Sequence, residues 1–390
     1  MIHKKYKKFL EHKEAEGMWG IIPESVKELH KIFKKNSKKL YVVGGAVRDF
    51  LNNEKAKDFD LATDAHPEEV IKILQFHNYD FNLQGKAFGV VVVYTDDEPM
   101  GMEIATFRED VYDKGLGTSR NPGVKFTTIE KDVERRDTPF NAMFYDLDNK
   151  EIVDLVGGKK DIENKITKFV GDPDKRIIED PLRILRVLRF STRYNFDIED
   201  KTKEAIKRNK GKLAIISRER IWEEFMKSWK QSNDFNDYLN FISEFDMWVD
   251  IFPTSNINEN FINSDNIVIV LANLFKNEDT EVLKNKLVQD YKIPDSSESN
   301  KLATQILFLV KFLDFLPDDV LDFYKLKKQC RIEDKTIKEW LDINNDTNRY
   351  KLKFIDFKPS VSSQELMSRG FKGEELGKEI KRLEIKNFKN

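Results

Sequence analysis

The residues with the clearest chemical potential begin with a pair of glycines near the start of the chain. Gly44 and Gly45 follow the β-prone run 41–43 and precede the segment 46–51, which has helical spacing, so the sequence predicts a strand-to-helix turn. Without Cβ atoms such a turn lets phosphate groups approach the backbone, and the N–H groups of the following helix face them. Arg48 could add a charge-assisted contact. An ordinary tight turn is the alternative.

Two aspartates follow closely behind this turn. In Asp58-Phe59-Asp60 the strand period of two places both carboxylates on one face, while Phe59 turns into the core. Two like charges side by side repel each other unless a cation or a proton lies between them. Carboxylate oxygens beside phosphates are typical of a Mg²⁺ site. The alternative is a pair of acids at a solvated strand end.

A predicted hairpin supplies a further carboxylate. Strands over 90–94 and 102–107 are separated by the turn-rich segment 95–101. Glu103 is one of the few charges in the second strand, and it could face the aspartate pair as a ligand or a base. An outward-facing strand acid is the alternative. The Gly-rich segment 109–125 that follows predicts a long mobile loop, and such loops are often functional lids.

The segment around Arg135-Arg136-Asp137 contains a third candidate group. Pro139 fits only the first turn of a helix, so Asp137 is predicted to cap a helix there. The residues 154–161, with two glycines between aspartates, predict another strand-to-helix turn.

A charged face is predicted further along the chain. Asp180, Arg183 and Arg186 recur every three residues, which places them on one face of a helix. Because a carboxylate accepts hydrogen bonds and a guanidinium donates them, Asp180 and Arg183 could address the edge of a nucleobase. An intrahelical ion pair on a solvated surface is the alternative. Beyond residue 220 the chain is rich in Phe and Leu at helical spacing and predicts an all-α region.

The composition limits the possible partners and compartments. The formal net charge is −2, but residues 1–39 carry eleven Lys against five acids, and residues 158–220 carry eighteen Lys or Arg against eleven acids. Such local basic surface suits an RNA partner. The single Cys330 excludes a disulfide framework and indicates a reducing compartment. With no signal-peptide pattern and no run long enough to span a membrane, we expect a cytoplasmic protein.

Taken together, these motifs resemble those of the class II branch of the polymerase-β-like nucleotidyltransferases, which contains CCA-adding tRNA nucleotidyltransferases and bacterial poly(A) polymerases. Order and spacing agree from about residue 24 to residue 230. One departure is Thr138-Pro139, where the family usually has Phe or Leu and then Thr. The resemblance implies an α+β fold, in which a nucleotidyltransferase head with a small mixed β-sheet and helices precedes an all-α neck, body and tail.

The resemblance also implies template-independent addition of C, C and A to the 3′ end of tRNA, with CTP and ATP as substrates and Mg²⁺ as cofactor. The implied metal ligands and catalytic residues are Asp58 and Asp60, with Glu103 as a further catalytic candidate. The implied triphosphate-binding residues are Gly44, Gly45, Arg48 and Arg186. The implied ribose-binding residues are Arg136, Asp137 and Asn141. The implied base-recognition residues are Asp180 and Arg183.

The domain prediction follows the same resemblance. The predicted parts are a solvated basic extension (1–22), the catalytic head (23–156), the neck that recognises the base (157–230), and the body and tail that bind tRNA (231–390). The alternatives in the same chemistry are a poly(A) polymerase and an enzyme that adds only CC or only A. A remote alternative is a catalytically inactive RNA-binding protein, which would be expected to have lost one aspartate of the pair.

Overall fold

The structure is a computed structural model that describes residues 17–111, 123–295, 301–314 and 319–389. Contacts divide the chain into two compact units. The first contains residues 1–216 with 231–233, and the second contains residues 217–230 with 234–390.

The strands of the described chain all lie in the first unit. They are β1 (Leu40–Val43), β2 (Leu61–Thr63), β3 (Asp80–Asn82), β4 (Val90–Tyr94), β5 (Met102–Thr106), β6 (Arg108–Val111), β7 (Gly123–Phe126), β8 (Phe144–Asp146), β9 (Glu151–Val153), β10 (Ile166–Thr167) and β11 (Asp197–Ile198). Within the described residues, seven of them form a mixed sheet in the order β3-β4-β5-β2-β1-β8-β9, and β6 pairs with β7 and β10 with β11.

Strand β1 lies inside this sheet, and all four of its residues are buried. It runs antiparallel to β2, with Tyr41 opposite Ala62, and antiparallel to β8, with Val42 opposite Tyr145. Its side chains alternate between two cores. Val42 packs in the larger core, and Tyr41 packs on the other face in a smaller core with Phe144. Because β1 is buried on both faces, its sequence is a continuous apolar run without the alternation of a half-buried strand.

Helices cover the sheet and continue the first unit. In chain order they are α1 (Glu24–Lys35), α2 (Gly45–Leu51), α3 (Pro67–Phe76), α4 (Ile129–Glu134), α5 (Gly158–Glu163), α6 (Pro173–Glu179), α7 (Arg183–Tyr194) and α8 (Asp200–Asn209). Short 3₁₀ helices span Lys86–Phe88, Pro139–Asn141 and Lys210–Ile215.

Residues 17–21, at the end of the predicted extension, are helical. The expectation of a solvated segment is wrong for Met18, which is fully buried in the larger core because its side chain is apolar. Residues 1–16 lie outside the described part. The predicted domain bounds stay a prediction.

The predicted loop over 109–125 is wrong at both ends. Strands β6 and β7 pair antiparallel there, with Glu109 opposite Lys125. These two side chains form a cross-strand ion pair of 2.7 Å, and opposite charges facing each other stabilise such a pair of strands. The middle of the predicted loop, residues 112–122, lies outside the described residues.

The second unit has helices and no strands in its described part. Its helices are α9 (Arg218–Gln231), whose last residue belongs to the first unit, α10 (Phe235–Glu244), α11 (Trp248–Ile251), α12 (Ile267–Leu274), α13 (Thr280–Asn285), α14 (Leu302–Asp314), α15 (Val320–Cys330), α16 (Asp334–Ile343), α17 (Arg349–Asp356), α18 (Ser363–Ser368), α19 (Gly373–Lys389) and a π-helix over Lys286–Asp290. None of the helices in the described ranges is long and apolar enough to cross a membrane. The predicted fold class, α+β followed by a mostly helical region, is confirmed. The predicted neck over 157–230 is not all-α, however, because β10 and β11 pair within it.

Candidate active site

The turn between β1 and α2 has the backbone that its glycines predict. Gly44 has a φ of 69°, in the left-handed region that L side chains rarely adopt, and Gly45 is the first residue of α2. The carbonyl oxygen of Gly44 accepts from the backbone N–H of Arg48 at 3.0 Å. A Cβ on Gly44 would lie 3.5 Å from the carbonyl oxygen of Asn141 and 3.9 Å from Nη1 of Arg136. The turn is therefore adjacent to two residues of the predicted ribose site.

The aspartate pair lies immediately before β2, not within it. Asp58 and Asp60 are exposed, and Phe59 between them is buried in the larger core, as the period of two predicts. The backbone N–H of Val43 donates to the carbonyl oxygen of Asp60 at 2.9 Å. Strand β1 therefore fixes the backbone of Asp60 just before β2 begins. Because the parallel register pairs Leu61 with Ile104, the preceding Asp60 lies beside Glu103.

The charges around Asp60 shift its proton affinity. Although the residue keeps exposed surface, surrounding protein atoms displace water from its carboxylate, and this desolvation is the largest cause of a pKa raised to about 6. The negative charges of Glu103 and Asp58 raise it further, while the positive charge of Arg136 opposes them. Asp60 therefore lies within reach of the negative charges of both Glu103 and Asp58.

These carboxylates do not form a closed metal site by themselves. Across the residues that the structure describes, no group of three or more His, Cys, Asp or Glu side chains is placed to hold a metal ion. The role of Glu103 as a third ligand stays a prediction. A cation held by Asp58 and Asp60 would need further oxygen ligands from phosphates or water.

Arg136 is fixed beside this site by a buried carboxylate that the sequence did not single out. Asp132 is 1% exposed and accepts from Nε of Arg136 at 3.0 Å and from Nε of Arg135 at 2.8 Å. The guanidinium of Arg136 also stacks over the ring of Phe144, 4.8 Å from its centre. Burial would raise the pKa of Asp132, but the two arginines outweigh it and lower the pKa. The charge of Arg136 thus has a defined position next to Gly44 and Asp60.

Contrary to the sequence prediction, Asp137 does not cap the helix that follows it. The helix that follows it is the short 3₁₀ helix beginning at Pro139, with Thr138 as its N-cap residue, so the capping prediction is wrong. The carboxylate instead pairs with Arg183, whose Nε lies 3.0 Å away, and with Arg186. Burial alone would raise the pKa of Asp137, but these two arginines lower it to about 2.

The predicted charged face of Asp180, Arg183 and Arg186 is also corrected. Asp180 lies between α6 and α7 with an extended backbone, at φ −149° and ψ 99°, and does not share a helix with Arg183. Pro181 explains this, because the residue before a proline is disfavoured in the helical region. The Oδ1 atom of Asp180 accepts from the backbone N–H of Leu182 at 3.3 Å. Arg186 keeps a 36% exposed side chain.

Arg183 is 4% exposed, and its guanidinium already has protein partners. Besides Asp137 it donates to Glu179 at 2.9 Å and to the carbonyl oxygens of Arg176 and Arg135 at 2.9 and 3.0 Å. Arg176, which sequence reasoning missed, donates from Nη2 to the backbone carbonyl of Arg136 at 3.0 Å and pairs with Glu179. Two arginines therefore bind the backbone just before Asp137.

The side chain of Arg48 does not point towards a phosphate position at the glycine turn, because its guanidinium is bound to protein groups. Its Nε donates to Asp49 at 2.8 Å, its Nη2 lies 2.6 Å from the same carboxylate oxygen, and its Nη1 donates to Asn141. The side chain is 6% exposed. The predicted phosphate contact would have to displace these bonds.

The predicted turn over 154–161 is present between β9 and α5. The carboxylate of Asp154 accepts hydrogen bonds from three backbone N–H groups of this turn. Its Oδ1 accepts from Gly157 and Gly158 at 2.8 and 2.9 Å, and its Oδ2 accepts from Lys159 at 2.9 Å. A Cβ on Gly158 would lie 2.4 Å from the carbonyl oxygen of Pro139. The turn therefore packs directly against the 3₁₀ helix that carries Asn141.

Comparisons with known proteins point to one family. Residues 40–168 match the family model described as the poly A polymerase head domain, and residues 195–231 match the one described as "Probable RNA and SrmB- binding site of polymerase A". The CCA-adding enzyme of Lactobacillus helveticus is 33% identical over 300 residues, which cover 73% of this chain and 70% of that protein. The chain belongs to the family of CCA-adding enzymes and poly(A) polymerases.

Other members of this nucleotidyltransferase family show the same relationship. Human mitochondrial CCA tRNA nucleotidyltransferase 1 is 35% identical over 306 residues, covering 75% of this chain and 67% of that one. A crystal structure of the Bacillus stearothermophilus CCA-adding enzyme with CTP has the same fold, with a TM-score of 0.66, 21% identity, and coverage of 92% of this chain and 90% of that one. The predicted family and the predicted class of enzyme, a nucleotidyltransferase, are confirmed.

Proposed function

We propose that the chain adds C, C and A to the 3′ end of tRNA, using CTP and ATP, by template-independent nucleotidyl transfer. The observation that carries this proposal is the carboxylate cluster beside the Gly44 turn, where desolvation and then the negative charges of Glu103 and Asp58 raise the pKa of Asp60 to about 6. Such crowding of negative charge is typical of a site that receives a cation and phosphates. The names of the similar CCA-adding enzymes support tRNA as the substrate.

The residues present fit a divalent cation. Asp58 and Asp60 offer hard oxygen ligands, and a cation would balance the negative charge that Glu103 and Asp58 place around Asp60. When bound with the triphosphate, Mg²⁺ supplies positive charge that lowers the pKa of the primer 3′-hydroxyl and balances the charge of the pyrophosphate.

The chain's own groups then position the two substrates. The primer 3′-oxygen forms a bond to the α-phosphorus of the nucleotide, the bond to pyrophosphate breaks, and the hydroxyl proton passes to a carboxylate of the site, for which Glu103 is the candidate base. Gly44 and Gly45 leave room for the triphosphate beside the charge of Arg136, which lies 3.9 Å from the Cβ position of Gly44. Asp137 and Asn141 lie in the segment proposed to bind the ribose.

Nucleotide choice is proposed to reside in Asp180 and Arg183. C and A both present an amino group, which a carboxylate accepts, and a ring nitrogen, which a guanidinium serves. U and G present a carbonyl in place of that amino group, so Asp180 would face another acceptor. Reading a base requires Arg183 to exchange one of its present partners for the nucleotide.

A poly(A) polymerase is the second candidate, because the matched head domain bears that description. The test is single-nucleotide incorporation on three tRNA transcripts, which end in the discriminator base, in C, and in CC. A CCA-adding enzyme adds C, C and A in turn and then stops. Repeated addition of A to all three transcripts without CTP would support poly(A) synthesis instead. No addition to any of them would favour an RNA-binding protein without activity.

A further inference from the structure

A buried chain of hydrogen bonds connects helix α7 with the segment proposed to bind the ribose. The hydroxyl of Tyr194 donates to Oδ1 of Asp49 at 3.1 Å, and Nε of Arg48 donates to the same oxygen at 2.8 Å. Nη1 of Arg48 in turn donates to Oδ1 of Asn141. Helix α2, which follows the glycine turn, is thereby joined to both neighbouring segments.

The guanidinium of Arg48 is held from several sides. Its Nη2 lies 2.6 Å from Asp49, which is itself 4% exposed, and its carbon lies 4.8 Å from the ring centre of Tyr194 and 5.9 Å from that of Phe190. A buried guanidinium with an ion pair, a hydrogen bond and two aromatic faces has a fixed orientation. Arg48 is therefore placed to orient a neighbour.

The neighbour that it orients is the side-chain amide of Asn141. A guanidinium carries only donors, so the amide must present its oxygen to Arg48, which turns its Nδ2 group the other way. Among the described residues, that Nδ2 group donates no hydrogen bond to the protein, and Asn141 is partly exposed. The remaining amide donor is thus available to an acceptor on a substrate.

We propose that Arg48, held by Asp49 and Tyr194, is a positioning residue that presents the Nδ2 group of Asn141 to a hydroxyl oxygen of the nucleotide sugar. A neutral amide donor matches a neutral hydroxyl acceptor, whereas phosphates are best met by charged donors. The inference rests on the proposed nucleotidyl transfer. It replaces a direct contact between Arg48 and the triphosphate with a role in sugar recognition.

The test compares addition of one C to a tRNA transcript ending in the discriminator base, with CTP, 2′-deoxy-CTP and 3′-deoxy-CTP. For Arg48→Lys, which keeps the charge but loses the planar fork, we expect kcat/KM for CTP to fall about fivefold to tenfold, mainly through KM. For the deoxynucleotide that lacks the contacted hydroxyl, kcat/KM should differ little between Arg48→Lys and the wild type. The nucleotide that behaves in this way identifies the contacted hydroxyl. Tyr194→Phe should act in the same direction but more weakly. The inhibition constant of inorganic tripolyphosphate should stay unchanged.

A matched control removes a buried tyrosine hydroxyl elsewhere. The hydroxyl of Tyr291 donates to the carbonyl oxygen of Pro253 at 2.9 Å in the second unit, so Tyr291→Phe should leave the sugar preference unchanged.

Equal losses for all three nucleotides, with weaker tripolyphosphate inhibition in Arg48→Lys, would make Arg48 a triphosphate contact and overturn the inference. The inference would also be overturned if each variant lowered kcat equally for all three nucleotides, left KM unchanged, and lost activity in proportion to its fall in melting temperature. That result would show a purely structural role. If the wild-type protein adds no C, the proposed function fails and this inference with it.

Discussion

The Nε atom of Arg183 donates to Oδ1 of Asp137 at 3.0 Å, so a residue expected to read the base holds a residue expected to bind the ribose. Arg183 lies in α7, and Asp137 lies 46 positions earlier in the segment before the 3₁₀ helix. A nucleotide that engages either side chain therefore competes with this ion pair. The proposed recognition of the base and the proposed recognition of the sugar therefore share one hydrogen bond.

Replacement of Arg183 by Ala should relax nucleotide choice. Loss of the guanidinium removes the donor for the ring nitrogen, so we expect kcat/KM for CTP over UTP, and for ATP over GTP, to fall by roughly tenfold to hundredfold. The measurement is kcat/KM for each of the four triphosphates on one tRNA primer. Arg208→Ala, which removes an exposed ion pair with Asp174, is the control and should leave these ratios unchanged. An equal loss for all four triphosphates would show that Arg183 does not read the base.

Replacement of Asp58 or Asp60 by Ala should abolish nucleotide addition while tRNA binding persists. The carboxylates are proposed to hold the cation, and neither is proposed to contact RNA. Incorporation of labelled CTP and a tRNA binding titration would be measured in parallel. Asp96→Ala, at an exposed position in the turn between β4 and β5, should behave like the wild type. Activity above a few per cent in both variants at saturating Mg²⁺ would exclude the metal assignment.

Asp137 should make the free energy of unfolding depend on pH in the acid range. Its pKa lies near 2 in the folded chain against 3.8 normally, so the stabilisation is fully present above about pH 4 and is lost as the pH falls towards 2. Asp137→Asn should therefore lower the free energy of unfolding by up to about 2 kcal/mol at pH 5, and by less at pH 3. Urea unfolding at both pH values measures this, with the exposed Asp96→Asn as control. A cost that is the same at both pH values would contradict the ion-pair explanation.

Gly158→Ala should destabilise the first unit. The added Cβ would lie 2.4 Å from the carbonyl oxygen of Pro139 and 2.7 Å from its carbonyl carbon, so the backbone of one segment must shift, at a cost of about 1 to 3 kcal/mol. Gly211→Ala, where a Cβ meets nothing within 4 Å, is the control and should cost less than 1 kcal/mol. Thermal unfolding of the two variants compares them. Equal melting temperatures would show that the contact with Pro139 relaxes without cost.

The elements that the sequence predicts well are those with local causes. The glycine turn after β1 depends on Gly44 and Gly45, which permit its backbone. The alternation that buries Phe59 and exposes its two aspartate neighbours also needs only the period of a strand. These features depend on few residues and not on the rest of the fold.

The parts of the site that the sequence could not predict depend on distant partners. Nothing near Asp137 in the sequence indicates that Arg183 will neutralise it, and nothing near Asp49 indicates the hydroxyl of Tyr194, 145 positions away. One missed feature did have a local signal, because Pro181 predicts that Asp180 leaves the helix. Such tertiary pairs decide which charged groups of the site are already engaged.

The position of β1 in the sheet has a consequence for the synthesis of the protein. Val43 pairs with Phe144, about a hundred residues later in the chain, so one side of β1 has no strand partner until that residue leaves the ribosome. At typical rates of roughly 5 to 20 residues per second, this interval lasts about 5 to 20 s. During it an apolar strand presents an open edge, which is the kind of surface that recruits other chains. We therefore expect the nascent chain to be most prone to associate with other chains before residue 144 is made.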